Sequence, residues 1–329
     1  MPQVSSLSPD AAKPVLGIDV SGKRLDLAFS DGQIPDALDY DAAGLGKLLQ
    51  LLRDKPVTLV VVESTGGIEQ TLIDTLLDAG IEVSRVPPGR VRNFARADAQ
   101  LAKTDTIDAM VLARFGERLA PRTLEKRCKT RAELDALVTC RRQLVAVRGE
   151  QANRRRNVTS KTALSSIDAV QTSIQKQIDK LDAAIAKLIN SDDDLSDTDR
   201  ILRSVPGVGI GLSSALLGAM SELGTLHKNR VAALIGVAPF NSDSGQRKGT
   251  RHIRGGRMDI RNTLYMSAVS AVTWNPVIKA FADRLTKAGK PFKVMITACM
   301  RKLATLLNAM VRDRVQWDQL NVVKSLKTA

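Results

Sequence analysis

The stretch VTLVVVES, residues 57–64, is a near-continuous β-branched run with almost no alternation of polar and apolar positions. A run of this kind is at home only as a strand covered on both faces, so it calls for helices above and below a sheet. The surrounding sequence supplies them. VLGIDVSG (15–22) and RLDLAFSDG (24–32) are short runs meeting at a Ser-Gly-Lys turn, which is a hairpin signal. AAGLGKLLQLLRD (42–54) and GIEQTLIDTLLDAG (67–80) have helical spacing, and the second closes on a glycine. EVSRVPP (82–88) reads as a further strand, and two more helical segments follow to about residue 120. A hairpin followed by strand–helix–strand units is an α/β layout.

Beyond residue 120 the character changes. AELDALVTCRRQLVAVR supports a long helix, followed by the basic NRRRN (153–157). The next helix carries Ile167, Val170, Ile174, Ile178, Leu181, Ile185 and Leu188 at steps of three and four, a seam of coiled-coil type. That seam serves either a helical hairpin's own core or the pairing of two protomers. NSDDDLSDTDR (190–200) reads as a hinge or boundary whose acids suit the opening of the next helix. From 201 the chain is helical. LRSVPGVGIGLSSALLG (202–218) has the pattern of a helix-hairpin-helix, with Gly207 and Gly209 in the turn. Such a turn aims amides of the second helix at a DNA phosphate without reading sequence.

The formal net charge is +14, and it is unevenly spread: −4 over residues 1–120, +8 over 121–163, −4 over 164–200 and +14 over 201–329. Two segregated basic blocks point to a polyanion, because neutralised phosphates release condensed counterions. Aromatic residues are only 3% of the chain, which favours backbone contact with a duplex over a stacking platform for single strands. No leader-like segment is evident, and the longest aliphatic run is too short for a bilayer, so a cytosolic protein away from the membrane is expected. Cys128, Cys140 and Cys299 lack metal or disulfide spacing and are expected to be reduced, partly buried thiols.

Four acids occupy suggestive places. Asp19 lies in the first strand and Glu63 ends the buried one, while Asp105 and Asp108 sit three apart on one helical face. An acid at the end of an apolar strand is costly unless paired, hydrogen-bonded or metal-bound. Together the four would make a hard-oxygen cluster of the type Mg²⁺ prefers. The alternative is structural, with Asp105 as a helix cap and Asp108 as a first-turn acid. Asp26, alternating within the second hairpin strand, and Glu69, in a helix's first turn, rank lower. NSDSGQRKGTRHIRGGR (241–257) is open to three readings: a solvated linker, a phosphate clamp or the seat of a nucleophile. Candidate phosphate contacts are Arg154, Arg155, Arg156, Arg247, Lys248, Arg251, Arg254 and Arg257, with the turn glycines Gly207 and Gly209.

GIDVSGKRLDLAF, VVVESTGG and KTDTIDAMVLA resemble the acidic motifs of the DEDD transposases of the insertion sequence 110 family. LRSVPGVGIGLSSALL, ALIGVAPFNSDSGQRKGTRHIRGGR and RNTLYMSAV resemble that family's second domain, with the motifs in the family's order from about residue 15 to 315. The resemblance implies a flexible tail (1–14), an RNase H-like, RuvC-like DEDD domain (15–125), a coiled-coil helical hairpin (126–192) and a mainly α C-terminal transposase domain (193–329). It implies a DNA recombinase whose Mg²⁺ is held by Asp19, Glu63, Asp105 and Asp108 and whose nucleophile is Ser244. The glycine after Ser244 sets it ahead of its neighbour Ser242. It further implies donor and target double-stranded DNA, an element-encoded guide RNA, and a dimer or tetramer with an active site shared between protomers. The competing chemistry is a Holliday-junction-resolvase-like nuclease in which metal-activated water attacks.

Overall fold

β1 (Val15–Val20) runs through the middle of a five-stranded sheet of order β3-β2-β1-β4-β5, where β2 is Arg24–Phe29, β3 Leu38–Asp39, β4 Leu59–Glu63 and β5 Val83–Val86. The computed structural model describes residues 13–98, 105–126, 128–241, 249 and 251–318. The chain divides into two compact units at Arg127/Cys128.

In the first unit β1 pairs antiparallel with β2 and parallel with β4, and β4 pairs parallel with β5. Strand alternation sends Leu16, Ile18, Val60 and Val62 to one face. There they pack with Leu45 and Leu48 of α1 (Ala42–Asp54) and Leu72, Ile73 and Leu76 of α2 (Gln70–Asp78). Val15, Val61 and Val86 point to the other face, against Val91 of α3 (Pro88–Ala97) and Val111, Leu112 and Phe115 of α4 (Asp105–Leu119). The β-branched run is thus covered on both sides, as its composition requires. Two details differ from expectation. The short edge strand β3 has no sequence signal of its own. Helix α2 opens at Gln70 rather than 67 because Gly66 and Gly67 take positive φ angles of 78° and 105°. The Glu69 carboxylate fastens that turn by accepting from the backbone N–H groups of Thr65 (3.2 Å) and Gly67 (2.9 Å).

The second unit begins with an antiparallel helical hairpin, α5 (Lys129–Arg156) and α6 (Lys161–Asn190). Its seam is buried only near the base, at Leu134, Ile178, Ile185 and Ile189, whereas Val170 toward the tip is 47% exposed. The acids of the stretch after it open the next helix, as expected. α7 (Asp193–Arg203) forms within it, and Asp192 caps that helix by accepting from the Leu195 N–H at 3.0 Å. There follow α8 (Ile210–Ala219), α9 (Lys228–Ile235), a two-stranded ribbon β6 (Pro239–Phe240) and β7 (His252–Ile253), α10 (Met258–Trp274), α11 (Pro276–Lys287) and α12 (Phe292–Asp313).

By length and composition alone α12 could cross a bilayer, but most of it is buried in this unit. Its Leu303, Leu306, Leu307 and Met310 are at the centre of the core, and α7, α9, α10 and α11 all pack on it. Among the described residues the three cysteines are free; Cys299 is buried, while Cys128 and Cys140 are exposed, contrary to the expectation of partly buried thiols.

Candidate active site

Two glycines fix where α4 lies on the sheet. A Cβ at Gly17 would stand 2.0 Å from the Ala109 carbonyl oxygen, and one at Gly116 would stand 2.7 Å from Val15 Cγ1. Residue 116 therefore sits over the start of β1 and residue 109 over its middle. Helix α4 runs antiparallel to the strand, and its first turn reaches the C-terminal ends of β1 and β4. Asp19 and Glu63 occupy those ends. Asp19 lies two residues beyond Gly17, so it shares the face that α4 covers. Glu63 lies two beyond Val61 on the same face, one step past the Ile18–Val62 pairing. Asp105 opens α4, and Asp108 lies one residue before the contact with Gly17. The Asp105 side chain lies outside the described residues.

Asp19, Glu63 and Asp108 are all half-buried, and each has a polar or electrostatic partner. Among the described residues no three His, Cys, Asp or Glu side chains stand close enough to hold a metal ion. The donor set at this end of the sheet is nonetheless all carboxylate oxygen, which fits a hard divalent cation and no soft one.

Asp26, ranked below the four acids from sequence, is paired. The β1–β2 register places it directly opposite Asp19, on the same face. It is 5% exposed, and Arg24 donates to its Oδ1 through Nε (3.2 Å) and Nη2 (2.9 Å). The clue was present in the hairpin, since residues 19 and 26 are equidistant from its turn. Glu69, the other lower-ranked acid, faces the opposite side of the sheet and serves the turn after Glu63, with Arg85 3.6 Å away.

In the second unit the described residues His252 and Ile253 of the glycine-rich stretch form one strand of a β-ribbon. Phe240 pairs with His252 and Pro239 with Ile253. Below that pair the two chain segments touch backbone to backbone. A Cβ at Gly236 would meet the Gly255 carbonyl oxygen at 2.1 Å, and one at Gly256 would meet the Gly236 nitrogen at 2.3 Å. Arg261 ties both together by donating to the carbonyls of Gly255 (2.9 Å) and Gly236 (3.3 Å). Arg257, a candidate phosphate contact, is committed here: it donates to the Ala219 carbonyl at 2.6 Å and binds both oxygens of Glu222. Arg254 stands 5.1 Å from the Phe240 ring centroid. Arg251 is exposed. Ser242, Ser244, Arg247 and Lys248 lie outside the described residues.

The helix-hairpin-helix glycines separate into two roles. Gly207 (φ +96°) faces inward, where a Cβ would meet the Ala271 nitrogen of α10 at 2.6 Å. Gly209 precedes the first turn of α8, is exposed and has open space beside it. Of the two turn glycines, Gly209 is the one that is solvent-exposed. At the tip of the α5–α6 hairpin, Arg155 is paired with both Asp168 oxygens at 2.6 and 3.2 Å, which holds the Asp168 carboxyl below its usual range. Its neighbours Arg154 and Arg156 are exposed.

Two family models match in succession. The first, described as a transposase, covers residues 16–163; the second, described as a transposase of the IS116/IS110/IS902 family, covers 199–283. The chain is 28% identical over 268 residues to the pilin gene-inverting protein of Moraxella bovis, covering 79% of this chain and 82% of that protein. It is 24% identical to an insertion element IS110 protein of Streptomyces coelicolor, covering 90% of each. A transposase for insertion sequence element IS1111A of Coxiella burnetii is 22% identical over 58% of this chain and 59% of that protein.

Proposed function

Because this chain belongs to the insertion sequence 110 family and is a DNA transposase/recombinase, we propose that it cuts and rejoins strands through a covalent phosphoseryl-DNA intermediate. What supports this reading is that Asp19 and Glu63 end adjacent strands on the sheet face that α4 covers, with Asp108 near the start of that helix. That arrangement on a sheet with a leading hairpin supports an RNase H-like domain. Asp19, Glu63, Asp105 and Asp108 would hold Mg²⁺, which when bound neutralises phosphate charge and polarises the phosphodiester.

Ser244 supplies the nucleophile. Its Oγ loses a proton and attacks phosphorus; a serine–phosphorus ester forms, and the bond to a deoxyribose oxygen breaks. That leaving oxygen takes up a proton. The hydroxyl of a second strand then attacks the ester, restoring a DNA phosphodiester and releasing the serine. One ester replaces another at each step, so resealing needs no nucleotide cofactor. Arg247, Lys248 and Arg251 flank the serine in sequence and favour charge developing on the phosphate. A relative named for inverting a pilin gene supports rejoining over simple hydrolysis, since inversion requires both cutting and resealing.

The partners are donor and target duplexes in the cytoplasm. The exposed Arg154 and Arg156 and the α8 amides at Gly209 contact their backbones or that of an element-encoded guide RNA, and the active form is a dimer or tetramer. Copurification of one discrete RNA is the expected result for the guide; a nucleic-acid-free active protein contradicts it.

The deciding experiment is Ser244→Ala. We expect loss of the covalent protein–DNA adduct and a fall in strand cleavage of about 10³-fold or more, with DNA binding retained. Cleavage at the wild-type rate would mean that water attacks and the resolvase-like mechanism holds. Asp19→Asn and Glu63→Gln are each expected to abolish divalent-metal-dependent cleavage while leaving the fold intact by circular dichroism.

A further inference from the structure

The β6–β7 ribbon has two unlike faces. Directly opposed residues of an antiparallel pair share a face, so Phe240 and His252 project together. Arg254, two residues beyond His252, joins them over the Phe240 ring. Ile253 on the other face is half-buried. Phe240 stays 39% exposed despite the arginine, and His252 and Arg254 are exposed as well. An aromatic ring, an imidazole and a guanidinium thus crowd one open surface.

The chemistry of this surface selects its occupant. Planar π-bearing groups and a guanidinium stack on a nucleobase whatever its identity, and the cations attract the adjoining phosphate. The setting is complementary to a polyanion, since residues 201–329 carry a net charge of +14. Its distance from the chemistry is bounded by covalent reach. Ser244 is four residues from Phe240, so their α-carbons are at most about 14 Å apart, or roughly four stacked base steps. Strand exchange requires bases near the cut to leave their partners. A base that leaves its stack loses contact area, and a protein ring next to the cut replaces it.

We propose that Phe240, with Arg254 and His252, is a stacking platform for one unpaired nucleobase of the DNA strand being cut. The assignment rests on the DNA recombinase reading and adds to it a point of contact on the substrate. The platform holds the separated strand while the phosphodiester is exchanged, and it reads the unpaired state rather than the sequence. A single ring suffices for this, which is why overall aromatic content gave no hint of it.

The test uses the full-length protein and two DNA probes of identical sequence. One is fully paired; the other carries a two-nucleotide bubble with 2-aminopurine in it. We expect the wild type to quench the 2-aminopurine and to bind the bubble more tightly than the duplex. Phe240→Leu should lose the quenching and about tenfold of the bubble preference while keeping its duplex affinity. Phe240→Trp should restore both. Unchanged quenching and preference in Phe240→Leu would overturn the platform. If an RNA loop of the same sequence competes far better than the DNA bubble, the assignment to DNA is overturned. Binding of neither DNA by the wild type would sink both this inference and the recombinase reading. Failure of Ser244→Ala to abolish the adduct would sink only the nucleophile assignment, because the fluorescence readout needs no cleavage.

Discussion

A methyl group at Gly17 would have to share space with the backbone of α4, 2.0 Å from the Ala109 oxygen and 2.5 Å from the Ala113 nitrogen. Backbone cannot rotate aside as a side chain can, so Gly17→Ala must push the helix off the strand. We expect a loss of about 1–3 kcal/mol in urea unfolding. We also expect a larger proportional loss of cleavage, because Asp108 rides on the displaced turn. A variant with wild-type activity and stability would refute the packing described. The cysteines give a second residue-scale prediction. The Thr130 N–H and hydroxyl and the Arg131 N–H, close by at the start of α5, favour the thiolate and lower the Cys128 thiol below its ordinary value. Burial pushes Cys299 up to about 11. Near neutral pH iodoacetamide should therefore modify Cys128 faster than an unperturbed thiol, and Cys299 only after unfolding; peptide mass mapping over time would show it.

At the scale of elements, what could be read from sequence followed the strength of each periodic signal. The β-branched run of β4 and the apolar spacing of α1 are set by short-range pattern, and both appear where that pattern puts them. The two-residue strand β3 is made by pairing to β2 and has no pattern of its own. The four acids were visible as residue types at element ends. The position of Asp26 opposite Asp19 depended on hairpin register, a relation between elements that composition does not carry. The same limit hid the β-ribbon, whose two-residue strands are fixed by glycine contacts and by Arg261. On the α5–α6 hairpin, Arg155 is spoken for by Asp168 while Arg154 and Arg156 are exposed. Asp168→Asn should cost little stability, since solvent screening leaves exposed ion pairs with little net contribution. If the hairpin tip meets nucleic acid, the same change frees a cation and should steepen the dependence of log Kd on log salt by up to about one unit. A slope no steeper than wild type would place the tip away from the phosphates.

For the molecule as a whole, the two units have separate cores, one built on the sheet and one on the helices. Residues 13–127 and 128–318 expressed apart should each unfold cooperatively in urea; a fragment that melts without a transition would show that its core needs the other. The central place of α12 has a consequence for synthesis. Helices α7, α9, α10 and α11 all rest on α12, so their shared core stays open until the ribosome has passed Asp313. At ordinary translation rates the span from Cys128 to Asp313 takes roughly 10–40 s to emerge, and until then the faces that α12 covers stay open. The sheet unit, finished earlier, can already be native. The nascent helical half is therefore expected to need chaperones more than the sheet unit, and a ribosome stalled before α12 would leave the second core without its central helix.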